Sequence, residues 1–65
     1  MAYWVTGKLP TLPGAKRTRR YHRTKNEAER RIAKRAKRDR SVERGDWYID
    51  GPCYEDRCTR RQIVR

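Results

Sequence analysis

From Lys25 to Arg40 the chain contains neither Gly nor Pro, and Ala, Glu, Lys and Arg fill most of the positions. These are strong helix formers. Both ends of the run are marked. Thr24-Lys25-Asn26-Glu27 fits a capping box, in which the Thr side chain accepts the Glu27 amide and the Glu carboxylate reaches back to the start of the helix. Gly45 supplies a stop, with Arg44 well placed in the last turn. A helix over 25–43 is expected. On a helical wheel, Ala28, Ile32 and Ala36 fall within about 80° of one another, a narrow apolar stripe of the kind that docks on a sheet. The stripe is too small to stabilise a helix alone, so the flanking segments must supply the surface that covers it.

Those segments read as strands. Residues 2–7 carry Tyr3, Trp4, Val5 and Thr6, aromatic and β-branched side chains that favour extended backbone. The run Gly7 to Gly14, with two prolines, then breaks the strand. Residues 17–23 alternate, placing Arg19, Tyr21 and Arg23 on one face and Thr18, Arg20 and His22 on the other. A third strand is expected over 46–50, around Trp47-Tyr48-Ile49, and the polar stretch 53–65 reads as an irregular tail. The fold class is therefore α+β: a small two- or three-stranded antiparallel sheet packed on one basic amphipathic helix. Its expected core is Trp4 or its neighbours Tyr3 and Val5, with Tyr21, Ala28, Ile32, Ala36, Trp47 and Ile49. At 65 residues this is a single small domain with a modest core. A charged fraction of 42% leans toward disorder, but aromatics spread from Tyr3 to Tyr54 favour a folded chain.

Charge is the strongest functional signal. Nineteen Lys and Arg against eight Asp and Glu give a net charge of +11, beyond the magnitude of about 2–8 that solubility requires of a small domain. A polyanionic partner explains such an excess, because each phosphate contact releases condensed counterions. Most of the cations are Arg, whose planar fork suits phosphate and guanine edges. The expected helix segregates them: away from the apolar stripe lie Arg30, Arg31, Lys34, Arg35, Lys37, Arg38 and Arg44. Like charges four residues apart, such as Arg30 and Lys34 or Arg31 and Arg35, repel by about 0.2–0.5 kcal/mol each. A solvated face would mix signs; a one-signed face that costs stability points to a polyanion. The second cluster is Arg17, Arg19, Arg20, His22 and Arg23, where Tyr21 and His22 could stack on unpaired bases or Tyr21 could pack against the helix. Packing is the favoured role for Tyr21, because so small a core needs aromatics.

Other chemistry finds little support. His22 is the single histidine and has no nucleophile or metal motif around it, so no catalytic residue, metal, cofactor or small-molecule substrate is expected. Cys53 and Cys58 are too few for a zinc site or a disulfide framework and read as free thiols of a reducing compartment, a local disulfide between them being the alternative in an oxidising one. No apolar run is long enough to span a membrane, and the N-terminus lacks a signal-peptide pattern. The expectation is a cytoplasmic protein, nucleoid-associated or in a host cytoplasm.

The run from Tyr21 to Gly51, Tyr-His-Arg-Thr-Lys-Asn-Glu-Ala-Glu-Arg-Arg followed by the basic stretch and Arg44-Gly45-Asp46-Trp47-Tyr48-Ile49-Asp50, resembles the arm-type DNA-binding N-terminal domain of phage and actinobacterial tyrosine recombinases. The resemblance implies a three-stranded sheet on one helix, with residues 2–8 as first strand and the sheet placed in the DNA major groove. Tyr3, Arg19, Arg20 and His22 would then rival the helix as DNA contacts. The resemblance reaches only the DNA-binding domain and not the core-binding or catalytic domains of recombinases, so DNA binding without recombination is expected. The expected function is nucleic-acid binding, DNA ahead of RNA, as a phage or mobile-element accessory factor. The alternatives are an inhibitor that grips an acidic surface of a host protein or ribonucleoprotein, and a ribosome-associated RNA-binding protein.

Overall fold

The computed structural model describes residues 2–10, 12–15 and 18–65. Tyr3–Lys8 forms β1, and its aromatic and β-branched side chains sit at the centre of an antiparallel sheet. On one side β1 pairs with the short edge strand β2, Arg20–His22, with Val5 opposite Tyr21. After α1, Lys25–Ala36, the chain returns as β3, Trp47–Tyr54, which pairs along the other side of β1 with Thr6 opposite Ile49. The far edge of β3 is covered by two short pieces. β4, Arg57–Cys58, pairs with its end, and β5, Arg61–Val64, pairs with its beginning.

The α+β class stands, with five strands rather than two or three. The expected irregular tail over 53–65 is the correction. Residues 57–58 and 61–64 are strands because three interactions tie them to β3. A Cys53–Cys58 disulfide links β3 to β4. The buried Asp50 carboxylate accepts two hydrogen bonds from Arg61, at 2.8 Å from Nε and 3.1 Å from Nη2. Val64 sits opposite Trp47 and packs against the core. The two cysteines are thus paired, not free thiols, and they no longer argue for a reducing compartment.

The helix begins where the sequence places it. Thr24 Oγ1 accepts the Glu27 amide at 3.2 Å, while the Glu27 carboxylate accepts the amide of Arg23, one residue before the cap itself. It ends at Ala36 rather than near 43. Asp39 and Ser41 are the cause, since short polar side chains compete with the helical backbone for its hydrogen bonds. Asp39 Oδ1 accepts the Ser41 amide at 2.9 Å, and Ser41 Oγ accepts the indole N–H of Trp47 at 2.8 Å. That turn drops Val42 into the core beside Ala28, Ile32, Trp47 and Ile49, with Trp4, Ala36 and Val64 packed around them.

Residues alternate across the sheet, so Trp4, Thr6, Trp47, Ile49 and Val64 face the helix. A second cluster of Val5, Tyr48 and Cys53, flanked by Tyr3, Leu9 and Cys58, lies apart from the first. Two glycines permit close approaches. A Cβ on Gly51 would collide with the Trp4 ring, and one on Gly7 would collide with the Thr18 carbonyl and the Tyr48 hydroxyl. The core expected from sequence holds for Val5, Ala28, Ile32, Trp47 and Ile49, with Trp4 and Ala36 partly buried. Tyr21 is the exception: it is 64% exposed, because its place opposite Val5 turns it away from the helix.

Two predictions follow from these ties. Ser41→Ala leaves the buried Trp47 N–H without its acceptor and should destabilise the fold by about 1–3 kcal/mol. Urea denaturation followed by Trp fluorescence measures it, and an unchanged midpoint would show the bond to be dispensable. Replacing Cys53 and Cys58 together by Ser releases a short cross-link with a sequence separation of 5. For so small a loop the loss expected from chain entropy is about 2 kcal/mol, read as the shift in midpoint against the oxidised parent.

Candidate nucleic-acid interface

The helix presents its cations because Ala28 and Ile32 anchor the opposite side to the sheet. Arg30, Arg31, Lys34 and Arg35 are exposed on α1. Lys37, Arg38 and Arg44 lie beyond its end, so the expected seven-residue helical face is split. Arg38 nevertheless stays near the helix, since its amide donates to the Arg35 carbonyl at 2.9 Å.

Arg31, Lys34, Arg35 and Arg38 converge on Trp47, lining a groove of about 240 Å³. Next to it, a depression of about 260 Å³ is lined by Thr6, Gly7, Thr18, Arg19, Arg20, Arg31, Arg35 and Trp47. The two adjoin, sharing Arg31, Arg35 and Trp47, and together they form a cationic channel that follows α1 and reaches β2 at its second part. Arg35 lies over the Trp47 ring, its guanidinium carbon 5.5 Å from the centroid. This contact and an ion pair with Asp39 at 3.4 Å hold Arg35 across the channel. Among the described residues, no carboxylate forms an ion pair with Arg19, Arg20, Arg31, Lys34 or Arg38.

Six of the cations singled out by sequence therefore meet: Arg19, Arg20, Arg31, Lys34, Arg35 and Arg38. Others do not join them. Arg30 and Lys37 are exposed but line neither part of the channel. Arg23 is exposed at the helix start, and Arg44 is paired with Asp46 at 3.5 Å. Arg17 lies outside the described residues. His22 is half-buried, with Nε2 at 2.9 Å from Thr6 Oγ1, so it is engaged by the sheet and not presented as an open contact. The sheet contacts expected from the resemblance are also divided. Arg20 and His22 stand opposite Thr6 and Trp4 on the helix side, whereas Tyr3 and Tyr21 meet edge to face, 5.6 Å apart, on the other.

Sequence reasoning placed Trp47 in the core but missed its second role as the floor of the channel. It also missed Thr18, whose hydroxyl accepts the Lys8 amide at 2.7 Å and whose carbonyl accepts the Tyr48 hydroxyl at 3.1 Å. A threonine interrupting a basic run was the available signal. Among the described residues no group of three or more His, Cys, Asp or Glu is placed to hold a metal ion. Likewise, no helix is long and apolar enough to cross a membrane. Compared with known proteins, the chain matches no family model, and no curated protein or solved structure is significantly similar to it.

The electrostatics show at His22. Burial lowers its pKa below the usual histidine value, the positive charges of Arg31 and Arg20 lower it further, and Glu27 opposes them. A depressed pKa means that the folded state holds His22 neutral. Its contribution to stability is present above the unfolded-state value of about 6.5 and is lost as pH falls through the folded value. Asp39, whose carboxyl is held below the usual range by hydrogen bonds from Ser41, loses its contribution only at far lower pH. The parent protein should therefore become less stable between about pH 7.5 and 5.5, and His22→Gln should not show that component. Denaturation midpoints at both pH values decide the matter; equal slopes for the two proteins would count against it.

Proposed function

We propose that this protein binds nucleic acid, DNA ahead of RNA, by gripping phosphates in the channel that follows α1 and reaches β2. One observation carries this: cations from two separate chain segments, Arg19 and Arg20 before and within β2 and Arg31, Lys34, Arg35 and Arg38 along α1 and its exit, surround a single aromatic floor. Bringing these like charges together, all but Arg35 without a carboxylate partner among the described residues, raises the energy of the unbound protein, and a polyanion relieves it. The channel is lined by guanidinium groups, polar threonines and an indole, which suits phosphate and sugar better than it suits a reacting substrate. The protein acts as a binding factor in this proposal and not as an enzyme. The resemblance of Tyr21–Gly51 to recombinase arm-binding domains supports DNA as the ligand and a phage or mobile-element accessory role.

A salt series on a DNA oligonucleotide tests the proposal. Contact with six phosphates predicts affinity falling about a thousandfold on duplex DNA, and about three hundredfold on a single strand, between roughly 50 and 200 mM salt. The pair Arg31→Glu and Arg35→Glu should weaken binding and lower the salt slope by about 2, roughly one per cation, and Arg19→Glu with Arg20→Glu should act alike because both pairs line one channel. Arg30→Glu with Lys37→Glu, outside the channel, should cost far less. A salt-independent affinity, or equal losses from all three pairs, would reject the channel as the binding site.

A further inference from the structure

Tyr21 occupies an unusual position for so small a fold. Its ring is the most exposed of the described aromatics, at 64%, in a protein where Tyr48 and Trp47 are buried. The ring is nevertheless held in place. Tyr3 meets it at an interplanar angle of 62° with centroids 5.6 Å apart, and the Arg19 guanidinium carbon lies 5.8 Å from its centroid. The result is a largely exposed aromatic side chain with the Arg19 cation over its ring.

The location supplies the second half of the inference. β2 is the edge strand of the sheet, and its two sides carry different chemistry. Arg20 faces the helix and lines the cationic channel, while Tyr21, the next residue, faces the opposite side. Arg19 belongs to both, lining the channel and lying against the Tyr21 ring. A polyanion lying in the channel passes within one residue of an exposed π-face. A chain of phosphates alone has no use for that face, but a nucleotide has a base to lay on it. In a duplex the base is already paired and stacked, and turning it out is costly. In a single strand it is available.

We propose that the preferred ligand is single-stranded or locally unpaired nucleic acid, with its phosphates in the channel and one base folded over the β2 edge to stack on Tyr21. Arg19 meets the phosphate of the stacked nucleotide. This rests on the channel being the nucleic-acid site. Stacking on one aromatic residue supports any base, so the preference is for strandedness and not for sequence.

The test measures fluorescence anisotropy of a short mixed-sequence DNA, as a single strand and as its blunt duplex, with four proteins: the parent, Tyr21→Ala, Tyr21→Trp, and Arg31→Glu with Arg35→Glu. Tyr21→Ala should weaken single-strand binding by about fivefold to a hundredfold, the range found when one stacking residue is removed, and leave duplex binding unchanged. Tyr21→Trp should bind single strands at least as well as the parent. Tyr21→Ala also loses the contacts with Tyr3 and Arg19 and should melt a few degrees lower, so unchanged duplex binding at a temperature well below the transition is what separates lost stacking from lost fold. If Tyr21→Ala binds single strands as the parent does, while the charge reversals abolish binding, the stacking inference is overturned and the channel stands. Equal loss on single strand and duplex also overturns it. If the charge reversals change nothing, the channel and the stacking inference fall together.

Discussion

The hydrogen bond from the Trp47 indole to Ser41 joins parts of the molecule that otherwise have little reason to meet. A buried indole N–H needs an acceptor, and the chain brings Ser41 to it by leaving the helix at Ala36 and turning back. That turn places Val42 under the helix. It also fixes the Trp47 ring against Ala28 and Ile32 on one side, leaving its remaining edge as the floor beneath Arg31, Lys34, Arg35 and Arg38. Core packing and the cationic channel thus share one side chain, and neither can be rearranged without the other.

This sharing explains what could be read from the sequence. The helix start was legible because capping chemistry is local: Thr24 and Glu27 do their work within one turn. Val5, Ala28, Ile32, Trp47 and Ile49 were legible because alternation and helical spacing mark buried positions directly. The end of the helix was not, because Ser41 stops it by answering a tryptophan that comes after the turn. The tail was misread for a similar reason. Its residues look polar, yet Arg61 has its partner in Asp50 and Cys58 has its partner in Cys53, pairings that exist only once β3 is in place. Tyr21 was assigned to the core on composition, and register overruled composition by setting it opposite Val5.

The candidate interface shows the same division. Its cations were identifiable from their one-signed clustering, but sequence spacing could not show that Arg19 and Arg20 would face Arg31 and Arg35 across one channel. Nor could it show His22 half-buried against the sheet, with Thr6 beside its ring. Concentrating positive charge on one side of a small fold strains it. The disulfide and the Asp50–Arg61 pair tie β4 and β5 to the edge of β3 that β1 does not occupy, holding in place the strand that carries Trp47.

The connection from β1 to β2 is fastened at both of its ends. The Leu9 amide donates to the Asp46 carbonyl at 2.7 Å, and Thr18 is held by Lys8 and Tyr48 against the close approach that Gly7 allows. Closing a longer connection between two fixed points costs little, about 0.6 kcal/mol for each doubling of its length. This connection is therefore the place where the molecule can accept an inserted peptide or a fused tag without disturbing the register of β2. The wall of the channel would keep its shape while a new segment was displayed directly beside it.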